Sequence, residues 1–123
     1  MNIWIINPYG NVPGESWRPH RSYMVSEAFA KKGHTVTYWI SNFDHRSKFN
    51  RQAQISSIKN LNVKILESTT YTKHISFDRI KFEINFMKKF VEIGSNEHNK
   101  PDLLIIGEPS LFVSYNFVKF INK

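Results

Sequence analysis

Arg18-Pro19-His20-Arg21 sets two guanidinium groups three residues apart, where a glycine-bearing loop gives way to a helical pattern. The first turn of a helix leaves backbone N–H groups without partners and carries a partial positive charge. With Arg18 and Arg21 beside it, that terminus would make a strong site for a phosphate or carboxylate. The competing reading is a solvated charged face, since surface arginines are common. The loop ahead of it, Asn7-Pro8-Tyr9-Gly10-Asn11-Val12-Pro13-Gly14, has neither the G-x-G-x-x-G spacing of a dinucleotide fold nor the lysine of a phosphate loop. An ordinary βα turn would also use glycine there, but plain connections need only about two to six residues, so the length favours function. A second basic cluster, His45-Arg46, Lys48 and Arg51, could meet another anion or an acidic membrane face, or simply be a solvated loop. His45 follows the second strand pattern and Glu108 the fourth. Both positions fall at the carboxyl ends of strands, where open α/β sheets bind ligands. Glu108 could equally cap the helix that follows it. Arg79 and Glu83 lie four apart on a helix and could simply pair. The five histidines show no H-x-H or H-E-x-x-H spacing and cysteine is absent, so zinc has little support. His34, between a helix stop and a strand, reads as structural.

Composition bounds what those groups can serve. The 123 residues make one domain, 41% hydrophobic and 15% aromatic, which is too apolar for a disordered chain. Net charge is +7, from 17 basic and 10 acidic residues, so anionic partners are favoured: nucleotide or lipid phosphates, a membrane face or nucleic acid. Nucleic acid is the weakest of these, because most aromatics fall in strands or on a helix stripe while the basic residues cluster in loops. No basic region precedes the first apolar run, which breaks at Asn7-Pro8, so it is no signal peptide. No stretch has the length to span a bilayer. A cytoplasmic domain in a reducing compartment is the simplest reading.

The elements that must position these groups follow from periodicity. Asn2 to Ile6 is apolar on both faces, as a central parallel strand requires. A helix from about Pro19 to Lys32 should face the sheet with Met24, Val25, Ala28 and Phe29, closed by Gly33 in the left-handed position. Thr35 to Ile40 is the second strand, followed by a long polar loop from Ser41 to Arg51. Gln52 to Asn60 carries weak signals. Asn62 to Glu67 is a third strand, placed near an edge by Lys64. After a polar loop, Ser76 caps a helix running to about Ile93 and stopping at Gly94. Its apolar residues span about 220° of the circumference, more than one sheet face needs. Either it lies between two layers, or part of it awaits another surface. Leu103 to Ile106 is a fourth strand of the fully buried type. A last helix, Leu111 to about Ile121, is apolar almost all round. The chain then stops where a doubly wound fold should turn into its next strand, so it reads as cut off. The expected class is α/β: a Rossmann-like open parallel sheet with helices on both faces, a single domain over residues 1–123.

With these residues in view, the chain resembles the N-terminal half of GT-B glycosyltransferases of family 4, in particular bacterial enzymes of lipopolysaccharide and capsule assembly. The resemblance runs through Pro13-Gly14, Arg18-Pro19-His20-Arg21, the run from Ala28 to Val36 and the segment from Tyr38 to His45. Lys48, Arg51, Tyr71, Arg79 and Pro101 to Ile105 continue it. It implies two Rossmann-like domains facing a cleft, this one receiving the acceptor and an absent C-terminal domain gripping a nucleotide-sugar donor. The loop of Gly10, Pro13 and Gly14 would then approach the donor diphosphate. Arg18, Arg21, His45, Arg79, Glu108 and Ser110 would serve the acceptor or an anion. Transfer would proceed with retention, without metal or cofactor, protein groups stabilising the leaving diphosphate. The partners implied are the nucleotide sugar, a lipid-linked saccharide and a peripheral contact with the inner membrane face. One departure stands out: Glu108 occupies a position where such enzymes often carry a small residue. The alternative is a non-catalytic α/β module that binds a phosphorylated ligand or a protein.

Overall fold

The structure, a computed structural model, describes residues 1–13, 21–44, 49–50, 58–67, 77–106 and 115. In chain order the elements are β1 (Asn2–Ile6), α1 (Arg21–Lys31), β2 (Thr35–Ser41), β3 (Phe43–Asp44), β4 (Phe49–Asn50), β5 (Leu61–Leu66), α2 (Phe77–Asn96) and β6 (Leu103–Ile106). Four strands form one sheet in the order β5-β2-β1-β6. All three pairings are parallel, with Ile3 opposite Val36 on one side and Leu103 on the other. The chain therefore steps outward from β1 to β2 to β5 and then crosses back to the far side of β1. The protein is α/β, with a wholly parallel four-stranded sheet.

Alternation along the strands sorts the core into two layers. Ile3 and Ile5 of β1 join Val36, Tyr38 and Ile40 of β2 under Tyr23 and Ala30 of α1. Trp4, Ile6 and Trp39 face the opposite way, against Phe86, Met87 and Phe90 of α2. Helices thus cover both faces. That follows from right-handed crossovers, because the steps from β1 to β2 and from β5 to β6 run in opposite directions across the sheet. On the second face Phe90 meets Trp39 edge-on at 5.0 Å and Trp4 at 5.9 Å. Lys64 of β5 lies over the Trp39 ring at 5.0 Å and pairs with Glu97. The edge position of β5 agrees with the lysine it carries.

Four expectations need correction. The sheet-facing side of α1 is Ser22, Tyr23, Ser26 and Ala30, with Val25 and Phe29 half-buried, while Met24 is 60% exposed and Ala28 is exposed as well. Ser26 Oγ donates to the Ser22 carbonyl at 2.8 Å, so a hydroxyl that looks solvent-facing is satisfied inside the interface. The second helix does not stop at Gly94, which is buried within it. Its end is capped by the Lys100 ammonium, which donates to the carbonyls of Gly94 and Ser95 at 2.7 and 2.8 Å. β6 lies at a sheet edge and is only partly buried, Leu103 being 38% exposed. The polar stretch after β2 contains a small antiparallel pair, Phe43 opposite Asn50 and Asp44 opposite Phe49. The predicted C-cap at Gly33 is present with φ +94°. Of the last predicted helix only Tyr115 is described, helical and exposed. The excess apolar arc of α2 is left partly open: Phe77 is 83% exposed and Ile84 37%. An open groove of about 410 Å³ runs beside it, lined by Ile84, Met87, Lys88, Val91 and Glu92.

Candidate functional site

The carboxyl edge of the sheet is where the loop after β1 and the first turns of α1 and α2 meet. Asn7, wholly buried, organises that loop. Its backbone N–H donates to the Trp39 carbonyl at 3.0 Å, carrying the β1–β2 ladder one residue beyond the strand. Its side-chain oxygen accepts from the Tyr9 N–H at 2.9 Å, and its amide nitrogen donates to Ser22 Oγ at 3.0 Å. The Gly10 N–H closes a turn onto the Asn7 carbonyl at 3.0 Å. An asparagine that both shapes the turn after a strand and grips the next helix fits this position, because its side chain mimics backbone. Ser41, at the end of β2, donates to the Pro8 carbonyl at 3.0 Å, and the Tyr38 hydroxyl donates to the Asn11 carbonyl at 3.2 Å.

Gly10 is buried in this arrangement, and a Cβ there would lie 2.2 Å from the Tyr38 hydroxyl oxygen. The glycine admits close packing of the loop over β2. Pro13, further along, is exposed.

Tyr9 carries the loop across to α2. Its ring packs on Phe82 at 5.6 Å, and its hydroxyl donates to Glu83 Oε1. Arg79 lies over the same ring, its guanidinium carbon 4.9 Å from the centroid, and Arg79 Nε donates to the Tyr9 hydroxyl oxygen at 3.1 Å. Burial pushes the Tyr9 phenol well above its ordinary range; the Glu83 carboxylate adds to the shift and Arg79 opposes it. The phenol therefore keeps its proton at physiological pH, with that proton directed to Glu83 and an oxygen lone pair left to accept from Arg79. Arg79 and Glu83, whose spacing also allowed a simple pair, both bond a third residue, 70 and 74 positions earlier in the sequence.

Of the residues singled out from sequence, the structure places Gly10 inside the β1 loop, Pro13 at its exposed end and Arg79 against it through Tyr9. Arg21 begins α1 and is exposed, on the opposite face of the sheet from Arg79. Both helices start at the carboxyl edge, so the two guanidinium groups flank it from opposite faces. Gly14, Arg18, His45, Glu108 and Ser110 lie outside the described residues. Asn7, Tyr9 and Glu83 were not singled out for this role. Glu83 had a signal: it is the one carboxylate of α2 within the arc from Phe82 through Phe86 and Phe90 to Met87. Among the described residues, no group of three or more His, Cys, Asp or Glu side chains is placed to hold a metal ion. No described helix is long and apolar enough to cross a membrane.

Comparison with protein-family models, with curated proteins and with solved structures finds no match to this chain.

Proposed function

We propose that this chain is the acceptor-side domain of a retaining GT-B glycosyltransferase of the family 4 type. In that role it takes part in moving a sugar from a nucleotide-sugar donor to a lipid-linked saccharide in cell-surface polysaccharide synthesis. The observation that carries the reading is the strand order β5-β2-β1-β6. It matches the order of the first four strands of a doubly wound Rossmann sheet, whose ligands bind outside the carboxyl ends of the strands where the order reverses. Here that crevice lies beyond β1 and β6, next to the loop ordered by Asn7. Arg79 on one side and Arg21 on the other supply positive charge for phosphate-bearing substrates. The net charge of +7 suits work beside an anionic lipid surface.

The test is expression of the complete reading frame that encodes these residues, followed by assay with labelled nucleotide sugars and a membrane extract as acceptor. Transfer with retention, lost on removal of the part encoded beyond Lys123, is the expected result; residues 1–123 alone should show no turnover. Turnover by residues 1–123 alone would refute the two-domain reading. A reading frame that ends at Lys123, with phosphate binding and no transfer, would establish a non-catalytic phosphate-binding module instead.

A further inference from the structure

We propose that the open face of α2 is an interface between two copies of this chain, packed antiparallel about a two-fold axis. The inference goes beyond the glycosyltransferase reading and does not rest on it.

The face is apolar beyond what the sheet uses. Phe82, Phe86 and Phe90 are buried inward, and Met87, 2% exposed, forms the floor of the groove beside them. Ile84 and Val91 line the same groove two helical turns apart, on one stripe of the helix. Ile84 is 37% exposed, and Val91, which leans on the layer of Trp4 and Trp39, is only half-buried. The groove also carries one cation and one anion, Lys88 and Glu92, a turn apart. Their spacing allows a pair within the helix, in the weaker order for one. Among the described residues, however, neither side chain forms an ion pair, whereas Lys31 with Glu27 and Lys64 with Glu97 do.

The order of those charges selects the occupant. A surface of one sign would gain at one residue and lose at the other. The matching surface sets an acid opposite Lys88 and a base opposite Glu92, in reversed order along the axis. Turned end for end, α2 is itself such a surface. A two-fold axis at the level of Phe90 places Lys88 of each copy against Glu92 of the other, and a contact of this symmetry makes every bond twice. The same operation brings the two Val91 side chains together near the axis. It lays each Ile84 over Ser95 of the other copy, an exposed position with a small side chain that lets the helices approach. Each copy carries a net charge of +7, but salt at physiological strength screens that repulsion beyond about 8 Å, so the short-range pairs decide.

The test is sedimentation velocity of the 123-residue chain over a concentration series in about 0.15 M salt. Wild type is expected to show a dimer share that rises with concentration. Lys88→Glu and Glu92→Lys should each weaken the dimer about tenfold, because symmetry counts one reversal twice. Their equimolar mixture is the decisive sample. A copy with two acids in the groove then meets a copy with two bases, so the mixed dimer should recover to within about threefold of wild type. Val91→Asp should abolish association. Lys32→Glu, exposed after α1 on the other side of the sheet, changes the net charge equally and should leave the dimer intact. Circular dichroism of each variant separates lost association from lost fold. A wild type that stays monomeric at its highest soluble concentration would overturn the proposal and assign the face to another occupant, residues 107–123 or a different protein. So would a dimer that either reversal leaves unchanged, or a mixture that associates no better than its components. Sugar transfer, present or absent, bears on none of these outcomes.

Discussion

Replacing Gly10 with alanine is the sharpest test of how the β1 loop is built. The added Cβ would lie 2.2 Å from the Tyr38 hydroxyl oxygen, 2.9 Å from Ile40 Cγ2 and 3.1 Å from Tyr38 Cζ. Both neighbours belong to β2, both are fully buried, and Tyr38 is further held edge-on by the Tyr23 ring at 5.8 Å. Gly10 has no left-handed backbone, so the cost is contact and not conformation. Overpacking of this kind costs about 1–3 kcal/mol. Displacing the Tyr38 hydroxyl from the Asn11 carbonyl adds about 1 kcal/mol. The sum, about 2–4 kcal/mol, corresponds to a fall in Tm of roughly 6–16 °C for a domain of this size. Thermal and urea unfolding followed by circular dichroism would measure it. Tyr38→Phe should supply a partial rescue, because it removes the atom of closest approach. The double variant should be more stable than the sum of the single effects by at least about 1 kcal/mol. A Gly10→Ala protein within about 0.5 kcal/mol of wild type, or strict additivity with Tyr38→Phe, would refute the reasoning.

Three further outcomes follow from the same structure. Because the Tyr9 pKa is raised, its stabilising contribution is complete below about pH 10, the ordinary tyrosine value, and is lost as pH rises further. Wild type should therefore lose stability above about pH 10 more steeply than Tyr9→Phe, as read by urea unfolding, with ultraviolet titration showing one tyrosine that ionises later than the others. Gly33→Ala should cost about 1 kcal/mol through its positive φ alone, since nothing lies within 4 Å of the added Cβ, and Gly33→Asn should cost less. Phe90→Ala should cost about 3–5 kcal/mol, because Phe90 is fully buried between Trp4 and Trp39, whereas Phe77→Ala, at an 83% exposed site, should be nearly neutral in chemical denaturation.

The strands were legible and their company was not. Ile3-Trp4-Ile5-Ile6 and Leu103-Leu104-Ile105-Ile106 are both unbroken apolar runs bounded by polar or turn-forming residues, and both fold over the residues expected. The first is buried at the centre and the second lies at a partly exposed edge. Sequence pattern cannot separate them, because each alternates between the same two core layers. The face of α1 was only half legible, Val25 and Phe29 packing as expected and Met24 and Ala28 not, because its contact with the sheet also uses Ser22 and Ser26, and hydroxyls satisfied inside the interface leave no apolar signature. The partners of Tyr9 lie 70 and 74 residues away on α2, a separation that no local pattern spans. Arg79 drew attention through its spacing from Glu83 and through the resemblance, and its place beside the loop came from the fold.

The two edges of the sheet divide the work of holding it together. At the amino edge, the Asn2 N–H donates to Asp102 Oδ2 and the Asp102 N–H returns a bond to the Asn2 carbonyl, both at 2.7 Å. The Asn2 side chain reaches the carbonyls of Asn99 and Lys100, and the Thr35 N–H meets the Met1 carbonyl at 3.0 Å. These bonds fix the register of β1 against both neighbours without any group from the carboxyl side. At the carboxyl edge, Asn7, Asn11 and Ser41 are fully buried and take part in the bonds that shape the loop. Tyr9 carries the same loop to α2, where its hydroxyl donates to Glu83 and accepts from Arg79 Nε. The loop is thus tied to α2 through a single phenol, which is why glycine spacing within the loop carried so little information about its partners.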